Sequence, residues 1–311
     1  MNGRPGPVQV RAEVVATSRA GAYHRLTVAA PEIAARALPG QFIALAVGGP
    51  DSALLLQRAF AIHRAALEGP QGGALTGGTV EVVYAVHGRG TAWLADRVAG
   101  DSLDVVGPLG QGFTLPETSR PCTLVGGGYG SAPLFPLAAA LRAGGCPVDL
   151  VLGAASADRL FGAAAASRVA DEVRVTTEDG SAGERGRVTD VLPDVLRRSA
   201  AGAVYACGPM GMLAAVSAIS TAYGLPSQCA VEESMACGIG VCMTCVLPVR
   251  GDDGMTRMVR SCVEGPVFAG DRVRWADVGT VPVGTVGTVG TVGTVGVGTV
   301  GAVPALRVVA G

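Results

Sequence analysis

The sequence predicts a multi-domain chain: a small antiparallel β-barrel, then an α/β unit with a parallel, helix-covered sheet, then a small C-terminal domain organised by cysteines. Three observations predict it. Residues 8 to about 115 form short apolar-rich runs separated by Gly and Pro turns, the pattern of a small barrel. From about residue 120 buried strands alternate with helix-length segments, as consecutive β–α units do. Cys237, Cys242, Cys245 and Cys262 then crowd into one stretch. The expected divisions are 1–118, 119–226, 227–276 and 277–311.

Barrel strands are expected at 8–16, 23–30, 41–47, 58–64, 79–86 and 101–106, with one helix at 91–98. In the α/β unit, strands at 123–128, 148–154, 172–177 and 203–208 alternate with helices at 133–143, near 157–170, at 188–198 and at 210–223. A short strand at 228–232 leads into the cysteine segment, where VLPV, a turn at RGDDG and MTRMVRS read as a hairpin.

Composition narrows the chemistry. Over 311 residues, 49% are hydrophobic and 16% charged, which fits a chain of two or three compact domains. A net charge of −1 supplies no basic stripe and argues against nucleic acid as a partner. Every basic residue is Arg, because the chain contains no Lys. A Walker A lysine and a Schiff-base lysine are therefore excluded. With only His24, His63 and His87 present, a His-centred triad is a poor fit, and cofactor chemistry is favoured. The N-terminal MNGRPGPVQV lacks a signal-peptide pattern, so a reducing, cytoplasmic setting is expected. Cys122, Cys146 and Cys229 are expected as small core residues.

The cysteine spacing is the most specific signal. Cys237-x4-Cys242-x2-Cys245, followed by a distant Cys262, is the plant-type [2Fe–2S] spacing. A structural zinc site usually has two Cys-x2-Cys knuckles, and this stretch has one. Disulfides require an oxidising compartment, for which the chain carries no signal.

LVGGGYGSAPLFPL places Gly126, Gly127, Gly128 and Gly130 between a strand and a helix. Such a turn lets backbone approach a pyrophosphate at a helix N-terminus, although glycines also serve packing there. No acidic residue follows the second strand at VLGAAS, so the ribose argument does not choose NAD or NADP. Cys207, Gly208 and Pro209 end the fourth strand, either at a ligand-binding sheet edge or as a buried Cys before a turn. In the barrel, Arg58 opens QRAFAIHR, and Gly88-x-Gly90-Thr91 opens a helix. An arginine and a turn of amides can both bind phosphate.

In this order the motifs resemble the ferredoxin-reductase-like flavoproteins, through GRGT, GPLGQGF, GGGYGSAPL, CGPMGML and the C-terminal cysteine segment. The run VEESMACGIGVCMTCVLPV with RSCVEGPVF looks like the electron-transfer subunits of NAD-dependent, two-flavin dihydroorotate dehydrogenase. The resemblance covers about residues 8–276.

It implies an FAD-binding barrel, an NAD-binding α/β domain and a [2Fe–2S] domain docked on a separate FMN-containing catalytic subunit, as a heterotetramer. It implies a soluble protein of pyrimidine biosynthesis with no membrane partner, relaying electrons from FMN through the cluster and FAD to NAD+. By the same resemblance Arg58 contacts FAD, Phe60, Ala61 and Ile62 line the flavin, and Gly88, Gly90 and Thr91 meet its pyrophosphate. Gly126 to Gly130 and Cys207 to Pro209 flank the nicotinamide nucleotide, and the four cysteines ligate iron.

Two features depart from the family. It usually has Arg-Pro-Phe-Ser-Ile where this chain has Arg58-Ala59-Phe60-Ala61-Ile62, losing a hydroxyl worth about 1 kcal/mol. The six Gly-Thr-Val repeats after Val278 have no counterpart and are expected to form a disordered tail. Two other readings compete: a free-standing NAD(P)H-dependent ferredoxin reductase, and a cluster-bearing adaptor without catalysis.

Overall fold

The computed structural model describes residues 6–49, 52–67 and 77–279; the Gly-Thr-Val repeats from 280 onward lie outside these. The first part is a closed barrel. It is built from β1 (Val8–Ala20), β2 (Tyr23–Ala29), a short α1 (Pro31–Ala34), β3 (Phe42–Leu45), β4 (Arg58–Ala66), β5 (Thr79–Tyr84), α2 (Arg89–Ala95) and β6 (Ser102–Leu109). Strands close in the order β1-β2-β5-β4-β3-β6, every neighbour antiparallel. Alternation along β6 buries Leu103, Val105, Gly107 and Leu109. Leu103 and Val105 meet Leu26, Val28, Ile43, Leu45 and Val82 inside, whereas Leu109 packs with Phe42 and Ala44 on the outer face. Irregular registers in β1, β3 and β4 supply the local bends that closure needs.

The second part contains β7 (Cys122–Gly127), α3 (Leu134–Ala143), β8 (Val148–Ala154), α4 (Ala163–Ala166), β9 (Glu172–Thr177) and β10 (Glu184–Arg185). It continues through α5 (Val188–Arg198), β11 (Ala203–Cys207), α6 (Met210–Ala222) and β12 (Ser227–Ala230). After the hairpin of β13 (Val246–Arg250) and β14 (Thr256–Arg260), β15 (Val267–Ala269) returns to the same sheet. The sheet order is β10-β9-β8-β7-β11-β12-β15, parallel except at the β15 edge. Sheet residues are buried on both faces: Leu124, Leu150 and Leu152 against α3, and Val125, Val151 and Val204 against α5 and α6. Two-sided burial explains why these strands read as continuous apolar runs.

Beyond the added short α1 and β10, two features differ from the sequence expectation. The helix expected near 157–170 is reduced to a single tight turn at Ala157–Arg159 and the four-residue α4. Gly162, at φ +76, breaks it, and Phe161 fills a pocket beside Phe135 and His63. Burying one large ring outweighs continuing a short helix of alanines. The second difference is β15, which pairs antiparallel with β12. The cysteine hairpin therefore leaves the sheet after one strand and rejoins it through the next.

Barrel and sheet are joined through polar contacts as well as packing. Tyr205 Oη donates to Thr114 O at 3.2 Å, and His63 Nδ1 lies 2.8 Å from Ala132 O at the start of α3. Burial, and then the charges of Arg25 and Arg64, hold His63 below its ordinary pKa of 6.5, against the opposing effects of the Ala132 hydrogen bond and Glu81. The unfolded chain therefore takes up a proton that the native state resists, and stability falls as pH drops below about 6.5. A His63→Gln variant should show a flatter fall of the urea midpoint below that pH. Parallel curves for the two proteins would refute the assignment.

Candidate functional site

Two cavities open at the C-terminal edge of the sheet, and one set of thiols packs on the barrel beside the second. The first cavity opens over β7, β8, β9 and β11 and is lined by Gly127, Gly128, Gly130, Gly153, Thr176 and Pro209. It sits where the strand order reverses from β8 to β11 around β7, the position where ligands bind in open α/β sheets. Gly126 stands behind it, packed on Ser131. The Thr176 hydroxyl is fully buried yet has no partner, as expected of a wall that awaits a polar ligand.

Four charged residues of this cavity carry no signal of a site in the sequence: Arg159, Glu178, Arg187 and Glu232. Glu178 follows the third strand, β9, and not the second, where the dinucleotide pattern places its acid. Arg159 and Arg187 lie in irregular segments whose place no periodicity reveals.

The second cavity is a cleft between barrel and sheet. Phe42, Phe60, Ala61, Tyr84, His87 and Thr91 line the barrel side; Gly130, Cys207, Gly208 and Glu232 line the sheet side, with Met235 from the segment that runs on to Cys237. Its apolar walls push the Tyr84 hydroxyl up to about 12. Ile62 does not line it: it is 3% exposed and belongs to the barrel interior, because it pairs with Val82 there. Gly130 and Gly208 face each other, and a Cβ on Gly130 would lie 2.7 Å from Gly208 Cα.

Arg58 and the Gly88–Thr91 turn come together beside this cleft. A Cβ on Gly90 would lie 2.6 Å from Nε and Nη2 of Arg58, while Nη1 donates to the Leu56 carbonyl at 2.7 Å. The Thr91 hydroxyl accepts from the amides of His87 and Gly88 at 2.9 and 3.2 Å, which fixes the turn.

The cysteines fall into two pairs: the Cys242 amide reaches Cys237 Sγ, and Cys245 and Cys262 pack in one buried cluster. Among the described residues no three such side chains converge as one metal ion would require. Two pairs suit a two-iron core, in which each iron takes two thiolates. The donors around them suit it too. The amides of Val241 and Cys242 donate to Cys237 Sγ at 3.3 and 3.4 Å, and Thr244 Oγ1 donates to Cys242 Sγ at 3.1 Å. The Thr244 bonds hold Cys242 down to about 6, whereas burial pushes Cys262 up to about 12. Ser261, next to Cys262, keeps a fully buried hydroxyl without a partner. Cys245 and Cys262 pack on Phe42, Ala44 and Leu109, with Met235 alongside.

A barrel, a doubly covered parallel sheet, a cleft between them and an appended four-thiol segment define a ferredoxin-reductase-like oxidoreductase with an iron–sulfur domain. The structure of an NADH-dependent reduced ferredoxin-NADP oxidoreductase, reported for flavin-based electron bifurcation, superposes with a TM-score of 0.73 and 28% identity. The match covers 89% of this chain and 92% of that one. The iron-sulfur cluster binding domain of dihydroorotate dehydrogenase B matches residues 232–274. The dihydroorotate dehydrogenase B (NAD(+)) electron transfer subunit of Desulforamulus reducens is 32% identical over 246 residues, covering 79% of this chain and 90% of that protein. Its counterpart in Geobacillus kaustophilus is 37% identical over 238 residues, covering 76% and 86%. The chain belongs to this family of dihydroorotate dehydrogenase B electron transfer subunits.

Gly90→Ala should press on the Arg58 guanidinium and lower the flavin content of purified protein several-fold while leaving the urea midpoint nearly unchanged. Flavin retained at the wild-type ratio would remove Arg58 and Gly90 from the binding site.

Proposed function

We propose that the chain takes electrons from an FMN-bearing catalytic partner that oxidises dihydroorotate and delivers them to NAD+, serving pyrimidine biosynthesis. A [2Fe–2S] cluster and FAD are its resident cofactors, and a heterotetramer is the proposed assembly, in the cytoplasm. Among the described residues no helix is long and apolar enough to cross a membrane. The proposed functional units are residues 1–118 for FAD, 119–226 for NAD and 227–276 for the cluster.

One observation carries the reading: Phe42 and Met235 touch both the thiol-bearing cluster of side chains and the cleft between barrel and sheet. Groups held at Cys245 and Cys262 and in the cleft would then be separated by little more than one layer of side chains. A bound flavin supplies the exchange between hydride transfer and the single-electron traffic of a cluster. The chain's residues do the holding. Cys237, Cys242, Cys245 and Cys262 are the iron ligands, and amides and Thr244 steady the sulfurs. Phe60, Ala61 and Tyr84 wall the flavin ring, while Arg58, Gly88, Gly90 and Thr91 hold its phosphates. Gly127, Gly128, Gly130 and Pro209, backed by Gly126, cradle the dinucleotide, with Cys207 and Gly208 at the nicotinamide end.

The partner is expected at the exposed side of the thiols. Around exposed Cys242, Ile239, Val241 and Met243 are 54%, 75% and 52% exposed, an apolar rim that fits a docking face.

The test is anaerobic isolation of the complex from its native host, followed by dihydroorotate. Bleaching of flavin and cluster absorbance that depends on a co-purified FMN protein and reverses with NAD+ is the expected result. Bleaching by NADH or NADPH alone, with no response to dihydroorotate, would replace this reading with a free-standing reductase. Met243→Glu should slow dihydroorotate-driven bleaching at least tenfold, while flavin reduction by NADH proceeds as in the wild type.

A further inference from the structure

The two cavities meet at a single hydrogen bond. Tyr129 Oη donates to Glu232 Oε1 at 2.6 Å, and both residues line both cavities. The Tyr129 ring stands between Tyr23, on the dinucleotide side, and His87, on the flavin side, with centroids 5.3 and 6.3 Å away. Tyr23 is itself fixed, its hydroxyl donating to Arg159 O at 2.7 Å. On the other side, Gly130 lies against Gly208 with no room for a Cβ. Backbone therefore closes one flank of the junction, and the tyrosine closes the other.

Hydride transfer requires the two reacting rings to approach to about 3–3.5 Å. A nicotinamide tethered to a nucleotide in the first cavity must cross this junction to reach a flavin in the second. We propose that the Tyr129–Glu232 hydrogen bond is a latch on that passage. The nicotinamide ring opens it on the way to the flavin, which makes Tyr129 a positioning residue for hydride transfer. The proposal rests on the dinucleotide and flavin assignments above. It has a specific energetic signature: part of the nicotinamide's binding energy goes into breaking the bond. The adenosine diphosphate portion, held over β7 to β9, does not touch the latch and carries no such cost.

The test uses the full-length, FAD-loaded protein under anaerobic conditions, titrated separately with NADH and with ADP-ribose. Tyr129→Phe keeps the ring and removes the bond. It should bind NADH about threefold to tenfold tighter, the scale of a partly exposed hydrogen bond to a carboxylate. Flavin reduction at low NADH should rise accordingly, while ADP-ribose affinity stays constant. Glu232→Gln, which keeps a neutral acceptor, should shift NADH affinity in the same direction by less, and it carries the test if Tyr129→Phe fails to fold. Unchanged NADH affinity, or equal shifts for NADH and ADP-ribose, would overturn the latch. A wild-type flavin that NADH cannot reduce would sink the dinucleotide assignment and the latch with it. A reducible wild type with unshifted variants would sink the latch alone.

Discussion

The shared wall of Phe42 and Met235 is the constraint on which the rest of the structure depends. The electron relay proposed above demands that the thiols and the cleft lie close, yet each needs its own environment. The thiols need a tight loop with amides turned inward; the cleft needs apolar walls. Packing Cys245 and Cys262 directly on the outer face of β3 and β6 satisfies both. Phe42 achieves this through its position on the short β3, which pairs with β4 and β6 at once. The same strand that closes the barrel thus presents one side chain to both centres.

The β12–β15 pair does the corresponding work for the cysteine hairpin. A small domain whose two buried thiols, Cys245 and Cys262, pack on the barrel rather than within the hairpin has little core of its own. Tying both of its ends into the large sheet, through Cys229 opposite Phe268, gives it the rigidity of that sheet. The consequence is a fixed loop from Val231 to Ala236, which contributes Glu232 to the junction of the two cavities and Met235 to the shared wall. The segment thereby borders both cavities and the thiols in six residues.

The departure at Ala61 looks different once its surroundings are known. Ala61 lines the cleft opposite Cys207 and Gly208, so a small side chain there leaves space rather than a buried unpaired group. The absent hydroxyl removes one contact without creating an unsatisfied polar atom, which is the cheaper of the two ways to lose a hydrogen bond.

Much of this protein was determined by sequence alone. Period-two and β–α rhythms are local, so the barrel strands, the strands and main helices of the sheet, and the β13–β14 hairpin were legible in order. The cysteine spacing is local for the same reason, since three of the four cysteines sit on one short loop. What only the tertiary structure decided is non-local. Phe161 broke an expected helix because a pocket under α3 rewarded its burial. The three residues of β15 favour a strand but are too few to announce one, and they pair where β12 offers an open edge. Ile62 faces inward because of its partner on β5, while Phe60, two residues earlier, reaches the cleft. Arg58 meets Gly90, and Tyr129 meets Glu232, across about 30 and 100 residues of chain, and pairings at that separation depend on how whole elements dock rather than on any neighbouring residue.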